Sequence, residues 1–313
     1  MSSPQAFHHL PVLYEETLSA LSIKPDGVYL DGTVGGGGHS EGILKRLNGE
    51  GRLIAVDRDL DALASARERL KAFPNVTFLH GNFHDVPQIL EGERFDGILL
   101  DLGVSSWQLD QASRGFSYHE DAPLDMRMDR SKGQTAADWL NATPEKDIAK
   151  ALYDYADEKW AARIAKIIVE TRAKTPFKTT LDLVSAVDRA IPKAVRRKDE
   201  GHPARRTFQA VRIAVNDEIN PLKQVLLDLA RMLNPGGRLC VISFHSIEDR
   251  AVKQAFQLMK DPCTCPKDFP VCVCGNKPIV SLPKGYPMSA SEAELNENPR
   301  ARSAKLRAAQ RLP

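Results

Sequence analysis

Four short apolar runs in the first hundred residues constrain the fold more than any other feature of this 313-residue chain. They are residues 27–31 (Gly-Val-Tyr-Leu-Asp), 52–57 (Arg-Leu-Ile-Ala-Val-Asp), a weaker run at 75–80, and 95–101 (Phe-Asp-Gly-Ile-Leu-Leu-Asp). A strand with one wet face alternates apolar and polar residues. A continuous apolar run suits a strand covered on both faces, as in a parallel sheet. Stretches between the runs, such as 59–73, carry helical spacing. Strand and helix in alternation argue for an open, doubly wound α/β sheet.

The pattern changes after Trp107. From 108 to 206 there are helical segments and loops but no convincing strand. Thr143-Pro144 reads as an N-cap followed by proline at the first helical position. Residues 161–171 place Ile164, Ile167 and Ile168 on one face, and Thr179 or Thr180 caps a helix that Pro192 stops. The sheet signals then return: a helix over 208–233 kinked near Pro221, a turn at Asn234-Pro235-Gly236-Gly237, a strand over 238–244, a helix over 245–260, an irregular stretch over 263–288 and a last strand over 304–312. The chain therefore reads as one α/β domain, 1–107 with 207–313, carrying an inserted helical domain at 108–206 that is suited to substrate recognition.

Charge limits the partners. Forty-three basic residues against forty-one acidic leave a formal charge of only +2, whereas a dedicated non-specific nucleic-acid binder is far more basic. Any phosphate contact must rest on local patches. Arg196-Arg197-Lys198 with Arg205 and Arg206 is one; Arg300, Arg302, Lys305 and Arg307 form another. Either is also readable as a solvated face. No apolar run reaches the ~18 residues of a membrane span, and the N-terminus lacks a secretory pattern, so a soluble, cytoplasmic protein is expected.

The glycine run 31–40 (Asp-Gly-Thr-Val-Gly-Gly-Gly-Gly-His-Ser) follows the first strand and opens a helix. Glycines let a backbone approach a ligand closely, and a helix start presents free N–H groups. The dinucleotide pattern G-x-G-x-x-G or G-x-G-x-x-A fails here: counted from Gly35 its last position is Ser40, and from Gly36 it is Glu41. An acid before the glycines, Asp31, can instead face the ammonium of a methionine moiety. Asp57, ending the next strand, can hydrogen-bond both hydroxyls of a ribose. Together they point to S-adenosylmethionine rather than a nicotinamide cofactor. Asp101 closes the fourth strand on the crevice side of such a sheet, and His245, in Ser243-Phe244-His245-Ser246, follows the fifth. His245 is readable as a substrate contact or as a helix cap.

The chain resembles the MraW-type small-subunit ribosomal RNA (cytosine-N4)-methyltransferases. The resemblance runs from His9-Leu10-Pro11-Val12-Leu13 to the tail at 298–307. It rests on the glycine run, on 101–106 with Gln108-Leu109-Asp110, on Arg114-Gly115-Phe116-Ser117 and on Pro123-Leu124-Asp125-Met126-Arg127-Met128-Asp129. It rests also on His202-Pro203-Ala204, Thr207-Phe208-Gln209-Ala210 and 244–250. It implies a Rossmann-like sheet with a helical insertion, S-adenosylmethionine as cofactor, and methyl transfer to N4 of one cytidine in the decoding region of 16S ribosomal RNA. The cofactor contacts it implies are Gly37, Gly38, His39, Asp57, Phe83, Asp101 and Gln108; Phe83 and Gln108 come from the resemblance alone. Where many members have Gly-Glu-Glu-Arg, this chain has Ala156-Asp157-Glu158-Lys159.

Cytosine N4 is a poor nucleophile, and an acceptor for one of its N–H groups would help it attack; Asp101, or backbone carbonyls just after it, is the first candidate and His245 the second. The base must leave its stack, and Phe116 or Trp107 is placed to stack on it or to serve a core. The low net charge favours an assembled small ribosomal subunit over free RNA; oligomeric state, a homodimer included, is left open. A nicotinamide oxidoreductase and a non-catalytic RNA-binding protein are the competing readings. Four of the five cysteines form two C-x-C pairs, Cys263 with Cys265 and Cys272 with Cys274. No metal is required for the chemistry above, and the pairs leave zinc, a metal-free loop and redox use open. Cys240 reads as a small core residue.

Overall fold

The structure is a computed structural model that describes residues 11–196, 201–266, 269 and 271–313. It divides into two compact units, Met1–Gly103 with Pro221–Pro313, and Val104–Asn220.

The first unit is built on seven strands: β1 (Val28–Asp31), β2 (Arg52–Asp57), β3 (Val76–His80), β4 (Phe95–Asp101), β5 (Leu233–Ser243), β6 (Val280–Ser281) and β7 (Lys305–Arg311). Their order is β3-β2-β1-β4-β5-β7-β6. β1 to β5 pair in parallel, and β7 runs antiparallel between β5 and β6. The apolar runs explain the parallel part: Leu53, Ile54, Ala55 and Val56 are all buried, as are Ile98, Leu99 and Leu100, so both sheet faces are covered. Helices Tyr14–Leu21 and Gly38–Leu47 supply Leu18, Leu21, Ile43, Leu44 and Leu47 to one core with Tyr29, Leu53 and Leu99. Burying each such leucine removes it from water for roughly 1.5–3 kcal/mol. The strand order reverses beside β1, with β2 on one side and β4 on the other. A crevice at the carboxyl ends of the strands is expected at such a switch point, and Asp31, Asp57, Asp101 and Ser243 end the strands there.

Three local expectations change, two of them around the start of β5. The kinked helix over 208–233 is two helices, Arg205–Asn216 and Leu222–Arg231, the first in the inserted unit and the second in the sheet unit. Asp217, left-handed at φ 46°, stops the first; Pro221, lacking an N–H, stands just before the second, where no donor is needed. The turn at 234–237 is absorbed into β5. Pairing with β4 starts at Leu233, skips, and resumes at Arg238, so the four turn residues bulge between two paired flanks.

The second unit is helical, with helices Ser106–Asp110, Ala136–Ala142, Glu145–Ala156, Ala161–Arg172, Thr180–Ala190, Lys193–Arg196 and Arg205–Asn216. Thr179 and Asp182 form a reciprocal capping box. Pro144 precedes its helix as the N-cap itself, one place earlier than the sequence suggests. Ile164 and Ile168 are fully buried with Leu140, Ile148, Leu152, Leu183 and Val187 in a core of the unit's own, and Ile167 packs at its edge. The Arg114 motif and the Pro123–Asp129 motif meet here. Met126 N–H donates to the Arg114 carbonyl, and the buried Arg114 guanidinium donates to the carbonyls of Arg127 (3.0 Å) and Met128 (3.1 Å).

Candidate functional site

The glycine run forms a tight loop hung between two strands. Gly32 N–H donates to Leu99 O and Val34 N–H to Val56 O. Asp31 fastens it from beneath: Ser40 Oγ–H donates to Asp31 Oδ2 at 2.6 Å and Thr33 N–H to Oδ1 at 3.2 Å. Asp31 is buried, which pushes its carboxyl up to about 6 against the pull of those hydrogen bonds. The structure therefore turns Asp31 inward as the fastener of the loop, not outward toward an ammonium group. Its partner Ser40 carries no signal in the sequence beyond its place at the end of the glycines.

Asp57 meets the loop from β2. Gly35 N–H donates to Asp57 Oδ2 at 2.8 Å, and Asp59 N–H donates to Oδ1 at 2.9 Å. Each carboxylate oxygen keeps a second lone pair. Burial raises the Asp57 carboxyl above its ordinary value. Gly35 (φ 51°) and Gly37 (φ 80°) take left-handed backbone that only glycine adopts at little cost. A side chain at Gly36 would meet nothing within 4 Å, whereas one at Gly38 would lie 2.4 Å from Pro11 Cγ. The loop is thus open at Gly36 and packed at Gly38.

Asp101, at the end of β4, is bound to the same loop: its N–H donates to Thr33 Oγ1 at 2.6 Å. Its Oδ1 is sealed from solvent and has no hydrogen-bond partner. Its Oδ2 lies 3.8 Å from His39 Nδ1. That contact is not ionic. Burial lowers His39 to about 4, so the ring is neutral, and its Nε2 is 3.1 Å from Val12 O, to which only an N–H can donate. Nδ1 then presents a lone pair. Burial first, and then the charges of Asp31 and Glu248, raise Asp101 to about 8. A protonated carboxyl facing a bare ring nitrogen is self-consistent, and a proton at Oδ2 leaves Oδ1 an acceptor.

Phe83, in the turn Phe83–Asp85 after β3, is buried with its Cβ 3.0 Å from where a Gly32 side chain would begin, so it stands against the base of the loop. His245 caps helix Ser246–Lys260: its Nδ1 accepts from Glu248 N–H at 3.3 Å, while Glu248 Oε2 accepts from Phe244 N–H at 2.8 Å. His245 Nε2 lies 3.0 Å from Glu248 Oε1 but off the line of a hydrogen bond. Sequence reasoning missed Glu248, although His245-x-x-Glu248 has the spacing of a capping box. Gln108 belongs to the inserted unit, where it completes a capping box with Ser105 and is buried.

The remaining sequence candidates separate. Phe116 is a core residue of the inserted unit, while Trp107 is 44% exposed. Arg196 is paired with Asp188 at 2.6 Å, and Arg205 and Arg206 are exposed; Arg197 and Lys198 lie outside the described residues. Arg307 is held by Asp249 through two hydrogen bonds, 2.7 and 3.1 Å, and Lys305 Nζ lies 3.6 Å from the same carboxylate; Arg300 and Arg302 are exposed. Cys240 is fully buried in β5, which pushes its thiol up to about 12. Among the described residues, no helix is long and apolar enough to cross a membrane.

A parallel sheet with one reversed strand, a glycine loop after β1 and acids closing β1, β2 and β4 define a Rossmann-like methyltransferase. The chain belongs to the MraW methylase family, whose profile matches residues 6–312. It is 52% identical over 311 residues to Ribosomal RNA small subunit methyltransferase H of Symbiobacterium thermophilum, covering 98% of each chain. It is 52% identical over 312 residues to the protein of that name in Heliobacterium modesticaldum (98% of this chain, 99% of the other). For the Clostridium botulinum strain Kyoto protein of the same name the identity is 49% over 309 residues, again 98% and 99%. S-adenosylmethionine is the cofactor of such enzymes, and the residues fit it: the space at Gly36 is open, Asp57 has lone pairs to spare, and Asp101 Oδ1 is buried without a partner.

Proposed function

We propose that this protein methylates N4 of one cytidine in the 16S ribosomal RNA of the small ribosomal subunit. The observation that carries the reading is Asp101: a carboxyl at the end of β4, 28% exposed, raised to about 8 and fixed by Thr33 to the glycine loop. The RNA comes from the names of the relatives, and N4 from the motif resemblance.

When bound, the cofactor supplies an already activated methyl group. Gly37, Gly38 and His39 of the loop would hold its amino-acid end, Asp57 its ribose and Phe83 its adenine; Gln108 is a further contact that the motif resemblance implies. The exposed part of the Asp101 carboxyl accepts one N4–H, which lets the nitrogen take the pyramidal shape that attack requires. It does so whether or not the carboxyl is protonated. An acid with a pKa near the working pH is also suited to take the proton that leaves N4. Good alignment contributes several kcal/mol more. The inserted unit recognises the substrate, with Trp107 as the exposed stacking surface and Arg205 and Arg206 on phosphate. The assembled subunit, in the cytoplasm, is the preferred target.

The test is methyl transfer from labelled S-adenosylmethionine to unmodified small subunits and to naked 16S RNA, with nucleosides resolved by mass spectrometry. N4-methylcytidine formed on subunits supports the reading. A different methylated nucleoside, or none, overturns it. Equal transfer to naked RNA overturns the preference for the assembled subunit.

A further inference from the structure

Residues between the end of helix Ser246–Lys260 and β6 at Val280 form no helix or strand among those described. Apolar burial does not hold this segment together: Phe269, Val271 and Val273 are 50%, 69% and 72% exposed. Yet four cysteine sulfurs converge within it. Cys263 Sγ is 3.6 Å from Cys272 Sγ, Cys272 Sγ is 3.4 Å from Cys274 Sγ, Cys265 Sγ is 3.8 Å from Cys272 Sγ and Cys274 Sγ is 3.9 Å from Cys263 Sγ. All four sulfurs lie within 4.8 Å of one another.

These separations select one chemistry. A disulfide needs sulfurs about 2.05 Å apart, and all four cysteines are free. Four thiolates at the ~2.3 Å zinc–sulfur distance of a tetrahedral site stand about 3.8 Å from each other. The four separations of 3.4–3.9 Å bracket that edge. The C-x-C spacing accounts for it: in extended chain, residues i and i+2 project to one side, so each pair offers one edge of a tetrahedron. The backbone supplies the surroundings such a site needs. Val273 N–H donates to Cys265 Sγ at 3.3 Å. Asn276 Nδ2 donates to Pro262 O at 3.1 Å and ties the two ends of the segment.

We propose that Cys263, Cys265, Cys272 and Cys274 form a closed, structural tetrathiolate site for zinc. With four protein ligands no coordination position is left for water or substrate, so the metal does no chemistry; it folds a segment that has no core. Helix Ser246–Lys260 separates the cluster from His245 by its own length, about 22 Å for 15 residues. Metal binding and cofactor binding should therefore be separable.

The full chain, purified without chelator from zinc-replete medium, is to be assayed for metal by mass spectrometry and for free thiols. One zinc per chain is expected, with one reactive thiol at most in the native state and five after unfolding with chelator. Replacement of zinc by cobalt(II) should give the visible bands of a tetrahedral site and sulfur-to-cobalt charge transfer. The double variant Cys265→Ser/Cys272→Ser should lose the metal and expose the loop to protease while binding S-adenosylhomocysteine with unchanged affinity, which shows that it has folded. A wild-type chain without stoichiometric metal and with freely titrating thiols overturns the proposal. So do disulfides among the four cysteines, bound iron in place of zinc, or full metal retention by the variant.

Discussion

His39 turns a bare ring nitrogen, Nδ1, toward Asp101 Oδ2 at 3.8 Å, because its other nitrogen must donate to the Val12 carbonyl. The pair is neutral on both sides near pH 7: His39 is lowered to about 4 and Asp101 raised to about 8, each mainly by burial. Asp101 is therefore a carboxyl held ready to ionise, and three of the measurements below turn on that state or on the loop beside it.

The first concerns stability without cofactor. A carboxyl whose pKa is higher in the fold than in the unfolded chain makes the folded state bind its proton more tightly. Its contribution to stability is fully present below the unfolded value of 3.8, falls as pH rises and is gone above the folded value of about 8. Asp31 adds a narrower loss, between 3.8 and about 6. Asp101→Asn keeps the shape and removes only the Asp101 titration. Thermal unfolding should show the variant gaining on the wild type from about pH 4 to pH 8 and holding a constant advantage above that. A difference independent of pH would show that Asp101 ionises normally.

The second concerns cofactor binding. S-adenosylmethionine carries a sulfonium charge that S-adenosylhomocysteine lacks, and a positive charge close to a carboxyl favours its ionised form. Binding at pH 7 should release most of a proton from Asp101 for the methyl donor and less for the demethylated product. Calorimetry in buffers of different ionisation enthalpy counts those protons. Asp101→Asn should abolish the difference between the two ligands and lower methyl transfer by roughly 10²–10⁴-fold. Unchanged turnover with intact cofactor binding would remove Asp101 from the reaction.

The glycine loop gives a contrast between two neighbours. Alanine at Gly36 projects into open space, so Gly36→Ala should fold with an unchanged melting temperature and bind S-adenosylhomocysteine at least about tenfold more weakly, as a loss of ~1.4 kcal/mol or more by calorimetry. Alanine at Gly38 starts 2.4 Å from Pro11 Cγ and must displace the segment before helix Tyr14–Leu21. Overpacking of that kind costs about 1–3 kcal/mol, which urea unfolding of Gly38→Ala should register. Equal effects of the two substitutions on stability would contradict an open loop face.

The sheet was legible because continuous apolar runs have one economical solution, strands covered on both faces; Leu53 to Val56 and Ile98 to Leu100 are buried as that pattern requires. Asp57 and Asp101 were legible from their register at strand ends. What Asp31 does was not. An acid before glycines looks outward in sequence, and only the fold shows Ser40 and Thr33 occupying both of its oxygens. Apolar side chains posed the same difficulty. Phe116 and Trp107 are similar in a linear pattern, but one is core and the other exposed, a distinction set by contacts far apart in the chain. The converging sulfurs were out of reach for a different reason: C-x-C spacing fixes each pair, while the meeting of the two pairs depends on the path of the chain between them.

His245 supplies the last test, because the sequence leaves it between catalysis and capping. The structure engages Nδ1 with Glu248 N–H and sets Nε2 against Glu248 Oε1 at 3.0 Å. Glu248 in turn accepts from Phe244 N–H, so the strand end and the helix start are locked by one reciprocal arrangement. Asparagine at 245 can accept from the same N–H and is among the best N-cap residues, whereas alanine cannot accept at all. His245→Asn should keep the wild-type melting temperature and methyl-transfer rate within about threefold, and His245→Ala should lose roughly 0.5–2 kcal/mol in urea unfolding. A His245→Asn enzyme that is stable yet loses two or more orders of magnitude in turnover would instead place the imidazole in the proton transfer assigned above to Asp101.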